Sequence, residues 1–241
     1  SGNTSIDREI FAGSVDIDKI KKNTSRNMAI ETGLNKLISN WGHIQTPYPG
    51  KYINHILKDI GENKLFSLII DEKYGGNKIS TTQLSNVLTK LSSHNPALGV
   101  MVMVPNSLGP GELLVKYGNE SQKKQYLSKL SDGSLVPCFG LTGPNNGSDA
   151  LGEIDTGVIF KNKNNELSIR VKINKRYITL APVADLIGLA INVMDPDNLL
   201  PSDVKPGVTV ALLERGHPNL RQETYHNPLN VGFPNGTLKG T

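Results

Sequence analysis

The stretch with the most chemical content is Cys138-Phe139-Gly140-Leu141-Thr142-Gly143-Pro144-Asn145-Asn146-Gly147-Ser148-Asp149-Ala150. A β pattern ends at Thr142, and the turn formers that follow bend the chain sharply. The bend exposes backbone N–H groups beside the hydroxyls of Thr142 and Ser148. Such a concave surface suits a phosphate or the polar edge of a heteroaromatic ring. By composition alone, the same run is first of all a turn between strands. No Gly-Lys-Ser/Thr follows, which excludes a lysine-type phosphate loop, and no helical pattern opens after it, which excludes the dinucleotide fingerprint.

The other reactive side chains point to less. His43, His55, His94, His217 and His226 are scattered, with no i,i+4 pair and no metal-ligand spacing, so no metal site is expected. Cys138 is the single cysteine; it permits no internal disulfide and sits on a buried-strand pattern, where it acts as a small hydrophobe. Glu112, Glu153, Glu214 and Glu223 read as solvated carboxylates. Met101 and Met103 alternate in an apolar run and read as core packing.

The elements that must position these residues divide the chain in two. Apolar residues recur at helical spacing in 25–40 (Ile30, Leu34, Leu37, Ile38), and Gly42 and Pro47 then break the pattern. Similar stripes occupy 52–60, 80–93 with Ser80 or Thr81 as N-cap, and 120–131, which ends at Ser131-Asp132-Gly133. Beyond Gly133, segments rich in Val, Ile, Thr and Tyr at 136–142, 156–161, 167–174, 176–180, 186–194 and 208–213 are separated by Gly, Pro, Asn and Asp. The expectation is an α+β chain, with an all-helical unit over 1–133 followed by a β-barrel or sandwich over 134–241.

Composition bounds the function class. The chain has 241 residues, 26 basic and 22 acidic side chains, and 37% apolar residues, which suits a packed globular chain. Its net charge of +4 comes without a dense Lys/Arg stripe, so nucleic acid is not expected as a partner. The apolar run at 97–104 is too short to span a bilayer and the first ten residues lack a secretory pattern, so a cytoplasmic protein is expected, with peripheral attachment to the inner membrane left open.

Residues 142–150 resemble the flavin loop of the acyl-CoA dehydrogenase family, whose usual form is Leu-Thr-Glu-Pro-Gly-Ala-Gly-Ser-Asp-Ala. Lys73-Tyr74-Gly75-Gly76 resembles that family's Tyr-Gly-Gly turn, and Lys116-Tyr117-Gly118 through Gly133 resembles its Tyr-Gly…Gln-Lys…Tyr-Leu-Pro…Gly helix. Arg176-Tyr177-Ile178-Thr179 stands where most members have Trp-Ile-Thr. Residues 104–114 and 174–182 resemble the long bacterial subfamily devoted to fatty-acid degradation. The resemblance runs in order over about residues 64–241 and is weak before that.

The resemblance implies FAD as cofactor, a fatty acyl-CoA substrate, dehydrogenation to trans-2-enoyl-CoA in β-oxidation, an electron-transfer flavoprotein as acceptor, and a homo-oligomer at full length. It places Thr142 at the flavin pyrimidine edge, Thr179 at N5 and O4, Tyr177 as a wall over the ring, and Phe139, Leu141 and Ile178 beside them. Gly147 would give close backbone approach, and Ser148 would meet the pyrophosphate or the acyl-CoA. The family's catalytic base lies on a C-terminal helical domain whose matching segment is absent from this chain, so no residue here inherits that role. The chain by itself is expected to be inactive. Gly143, Asn145 and Asn146 depart from the usual Glu, Gly and Ala, and Tyr177 departs from Trp. The alternatives are a noncatalytic acyl-CoA- or protein-binding module on the same fold, or an acyl-CoA oxidase.

Overall fold

The computed structural model describes residues 17–44, 52–107, 109–224 and 226–241; Pro47 and Leu108 lie outside the described residues. Among the described residues six α-helices come first: α1 (Ile17–Trp41), α2 (Ile53–Glu62), α3 (Thr81–His94), α4 (Pro96–Met103), α5 (Pro110–Tyr117) and α6 (Glu120–Ser131). The stripe expected in α1 is buried at Ile30, Leu34 and Leu37, and it meets Ile56, Leu57 and Ile60 of α2 in one core.

The starts of α3 and α6 use the same device. Ser80 accepts from the Gln83 N–H while Gln83 reaches back to the Ser80 N–H, and Asn119 and Gln122 repeat the exchange. Each pair satisfies two orphan donors of a helix N-terminus. Helix α4 carries no polar face from which to read a period: Ala97, Leu98, Met101 and Val102 are all buried. It begins because Asn95 caps the Ala97 N–H and Pro96 fits the first helical turn. Met103, at its end, is exposed.

The strands are β1 (Pro137–Gly140), β2 (Thr156–Lys161), β3 (Leu167–Val171), β4 (Ile173–Thr179), β5 (Leu186–Met194), β6 (Val208–Glu214), β7 (Leu220–Thr224) and β8 (Asn235–Gly240). They form two sheets, and neither closes into a barrel. One sheet runs β1-β5-β2-β3 with β6 also on β5; the other runs β4-β8-β7. β5 is buried from Leu186 to Ile191, as suits a strand flanked by neighbours and covered on both faces. The β1–β5 and β2–β5 pairs are parallel and the rest are antiparallel.

Two differences from the sequence expectation concern the site. The stretch expected to form strands at 167–174 and 176–180 divides instead at Lys172, because Ile173 pairs away from β3 with Gly240 of β8. β7 and β8 were not expected, since Asn235-Gly236-Thr237-Leu238-Lys239-Gly240 has the composition of a loop. Pairing with β4 and β7 on its two sides makes it a strand. Among the described residues, no helix is long and apolar enough to cross a membrane.

Candidate functional site

β1 ends at Gly140, and the chain runs on through Leu141 and Thr142 beside β4. The Arg176 N–H donates to the Thr142 carbonyl at 3.0 Å. Thr142 therefore lies alongside Arg176, three residues before Thr179, with the β4–β8 register irregularity between them. Both threonines are half-buried. Thr179 faces Asn235 in the β4–β8 register, and its Oγ1 accepts a hydrogen bond from Asn235 Nδ2 at 3.3 Å.

The loop between them is held by its own side chains. Asn146 is 4% exposed; its Nδ2 donates to the Leu141 carbonyl at 3.1 Å and to the Ala150 carbonyl at 3.0 Å, its main-chain carbonyl accepts from the Gly143 N–H, and its buried Oδ1 accepts nothing. Asn145 donates to Glu153 at 2.9 Å, and Arg176 Nη2 donates to the Pro144 carbonyl at 3.1 Å. A Cβ on Gly143 would stand 2.8 Å from Asn146 Oδ1 and 3.2 Å from the Asn174 carbonyl. A side chain at 143 would force the Asn146 carboxamide to shift, so Gly143 leaves the room that this carboxamide occupies. Neither Asn145 nor Asn146 adopts a positive φ. The turn is kept by carboxamide hydrogen bonds rather than by a left-handed backbone.

Gly147 and Ser148 are exposed at the crest of the loop, and no atom lies within 4 Å of a Cβ placed on Gly147. That space is open to a ligand. Phe139 and Leu141 are half-buried; Phe139 packs beside Gly188 of β5, whereas Gly140 faces Leu238, Leu189 and Lys175. Ile178 is 3% exposed and belongs to the core, so its side chain is not available to a ligand.

Tyr177 is 51% exposed and adopts φ +61° at an irregularity in the β4–β8 register. A bulky residue rarely occupies that region, and register irregularities re-aim side chains. Its ring stacks on His226 with centroids 4.1 Å apart and 30° between planes, and the Arg176 guanidinium lies 5.2 Å from its centroid. Burial, and then the Arg176 charge, hold the His226 pKa below its ordinary value.

Behind the loop lies Lys175, whose side chain is fully buried. Its ammonium sits 3.2 Å from Asp155 Oδ2 and donates to the Leu141 carbonyl at 3.1 Å. Burial lowers its pKa, opposed by Asp155. Asp155 Oδ2 also accepts from the Asn174 N–H, so this pair fixes the end of β1 against β4. Lys175, Asp155, His226 and Asn235 carry no local sequence signal for these roles. Only the strand register and the chain crossing bring them here.

The remaining reactive groups are accounted for elsewhere. Burial pushes the Cys138 thiol far above its usual range. Glu112 pairs with Lys116, Glu214 accepts from Tyr126, and Glu223 accepts from Thr237. Among the described residues, no group of three or more His, Cys, Asp or Glu side chains could hold a metal ion.

The acyl-CoA dehydrogenase N-terminal domain model matches residues 30–134. An acyl-CoA dehydrogenase of Bacillus subtilis is 29% identical over 164 residues, covering 68% of this chain and 40% of that protein. Over these residues the chain is similar to acyl-CoA dehydrogenases. The rat short-chain specific acyl-CoA dehydrogenase, mitochondrial, is 34% identical over 94 residues, 39% of this chain and 23% of that protein. The chain thus spans less than half the length of these curated relatives.

Solved acyl-CoA dehydrogenases share the fold. One from Bacillus anthracis, complexed with FAD, superposes with a TM-score of 0.69 at 21% identity, covering 90% of this chain and 35% of that one. Butyryl-CoA dehydrogenase from Megasphaera elsdenii gives 0.64 at 19% identity, covering 95% and 56%.

Proposed function

We propose that this chain is the N-terminal and middle part of an FAD-dependent acyl-CoA dehydrogenase of the long bacterial fatty-acid-degradation type, dehydrogenating fatty acyl-CoA to trans-2-enoyl-CoA. The observation that carries the reading is the hydrogen bond from the Arg176 N–H to the Thr142 carbonyl, which sets Thr142 beside the strand that bears Thr179. A half-cradle of that form fits the polar edge of an isoalloxazine. FAD, when bound, would supply the hydride acceptor.

The chain's own residues bind and orient. Thr142 and Thr179 offer hydroxyls along one edge, Tyr177 supplies an aromatic wall held from behind by His226, and Ser148 stands exposed on the loop for a phosphate or the CoA ester. Charge that accumulates on the ring during reduction is best met by hydrogen-bond donors already in place. The base that removes the α-proton is assigned to no residue of this chain. In this reading the electrons pass to an electron-transfer flavoprotein, the full-length protein is a homo-oligomer, and residues 134–241 form a middle β domain.

The departures at Gly143, Asn145 and Asn146 leave the loop hydrogen-bonded, so they give no ground for preferring a noncatalytic binding module to this reading. The test mixes the full-length protein with palmitoyl-CoA and an artificial electron acceptor. Bleaching of the flavin is expected, and no reduction at any acyl length would overturn the proposal. Hydrogen peroxide formed in place of acceptor reduction would assign an oxidase. The 241-residue chain alone is expected to be inactive and to hold FAD weakly; stoichiometric yellow flavin on it would contradict that.

A further inference from the structure

Asn235 is 2% exposed, yet its carboxamide is poorly supplied with partners. Nδ2 donates to Thr179 Oγ1 at 3.3 Å, and Oδ1, also buried, accepts nothing. Buried side-chain carbonyls are nearly always hydrogen-bonded, so one that is not calls for a reason. The backbone around it is pinned: the Leu180 N–H donates to the Pro234 carbonyl at 2.8 Å, the His226 N–H donates to the Asn235 carbonyl at 3.3 Å, and Gly236 pairs with Ile178. The carboxamide is therefore the part of this residue left to turn, and no bond to Oδ1 opposes its rotation.

A carboxamide presents a donor at one end and an acceptor at the other, whereas a hydroxyl does either. With Nδ2 toward Thr179, the threonine oxygen is used as acceptor and its proton is free to be donated outward. With Oδ1 toward Thr179, the proton is taken inward and the oxygen's lone pairs face outward. Asn235 and Thr179 are directly opposed in register, so their side chains share one face of the sheet.

We propose that Asn235 is a positioning residue that sets the hydrogen-bonding sense of Thr179 toward a bound flavin, donor in one redox state and acceptor in the other. This rests on the flavin reading above. Oxidised flavin, if bound, would present a lone pair at N5, and reduced flavin would present an N–H there. The Thr179 hydroxyl meets either by turning, and an unencumbered carboxamide keeps it partnered on its inner side in both senses.

The test is a double-mutant cycle on the FAD affinity of the full-length protein, with oxidised flavin and, anaerobically, with dithionite-reduced flavin. Asn235→Leu, nearly isosteric, is expected to weaken both redox forms by about fivefold, the worth of one neutral hydrogen bond. Asn235→Ser, which keeps a group that donates and accepts, stays close to wild type. In a Thr179→Val background the Asn235→Leu loss disappears, as for groups acting through one another. An equal loss in that background, a loss confined to one redox form, or no loss while wild type holds flavin overturns the proposal. Should Asn235→Leu fail to fold, Asn235→Ala takes its place in the cycle. A wild-type full-length protein that binds no flavin defeats the flavin reading itself and this inference with it, an outcome distinct from flavin-loaded variants that behave alike.

Discussion

Tyr177 shows how much one side chain of the site depends on another. Its φ of +61° is unfavourable for a bulky residue, so the surroundings must over-determine it, and the face-to-face contact with His226 is the support in view. His226 titrates below its ordinary 6.5 because burial and the Arg176 charge disfavour the imidazolium. The unfolded chain therefore binds more protons than the folded one near and below pH 6.5. The stability carried by neutral His226 is complete above 6.5 and is lost as pH falls through 6.5 toward the folded value. We expect thermal unfolding midpoints recorded from about pH 8 down to about pH 5 to fall further in wild type than in His226→Phe, which keeps the stacked ring and removes the titration. Parallel curves would show that His226 does not contribute.

The same dependence holds at the scale of the element. The loop 141–150 keeps its shape through Asn146, and Gly143 leaves the room that Asn146 occupies. Gly143→Glu should cost about 1–3 kcal/mol in denaturant unfolding through overpacking. The cost should shrink in an Asn146→Ala background, although Asn146→Ala is itself destabilising through its two lost hydrogen bonds. Additive costs would mean that the two residues do not share the space. Helix starts offer a control away from the site: Ser80→Ala or Asn119→Ala removes a reciprocal cap and should lower stability by about 1 kcal/mol without altering ligand binding.

For the whole molecule, the decisive contact is Lys175. Its buried ammonium joins three parts that are distant in sequence: β4, the Leu141 carbonyl at the end of β1, and Asp155 before β2. Lys175→Met leaves Asp155 without its cation and should cost about 3 kcal/mol, the scale for breaking a buried pair from one side. Lys175→Met with Asp155→Asn should recover part of that loss, measured by urea unfolding. A double variant no more stable than the single one would place the value of Lys175 in its bond to Leu141 rather than in the ion pair.

Local pattern alone was enough to establish four of the helices of the first half, a cap at Ser80 or Thr81, and the Gly/Pro/Asn loop with Thr142 and Ser148, because helical periodicity and turn chemistry are written within a few residues. The motif order around 142–150 and 176–179 was legible for the same reason. The partners of those residues were not. Asn235 meets Thr179 across 56 positions, and Lys175 reaches Leu141 across 34. β8 is a strand only because β4 and β7 pair with it, and His226 looked like one scattered histidine among five until it lay against Tyr177. Strand register and ring stacking are set by the free energy of the assembled sheets, which no short window of sequence contains, so tertiary structure alone decided how the candidate site is held.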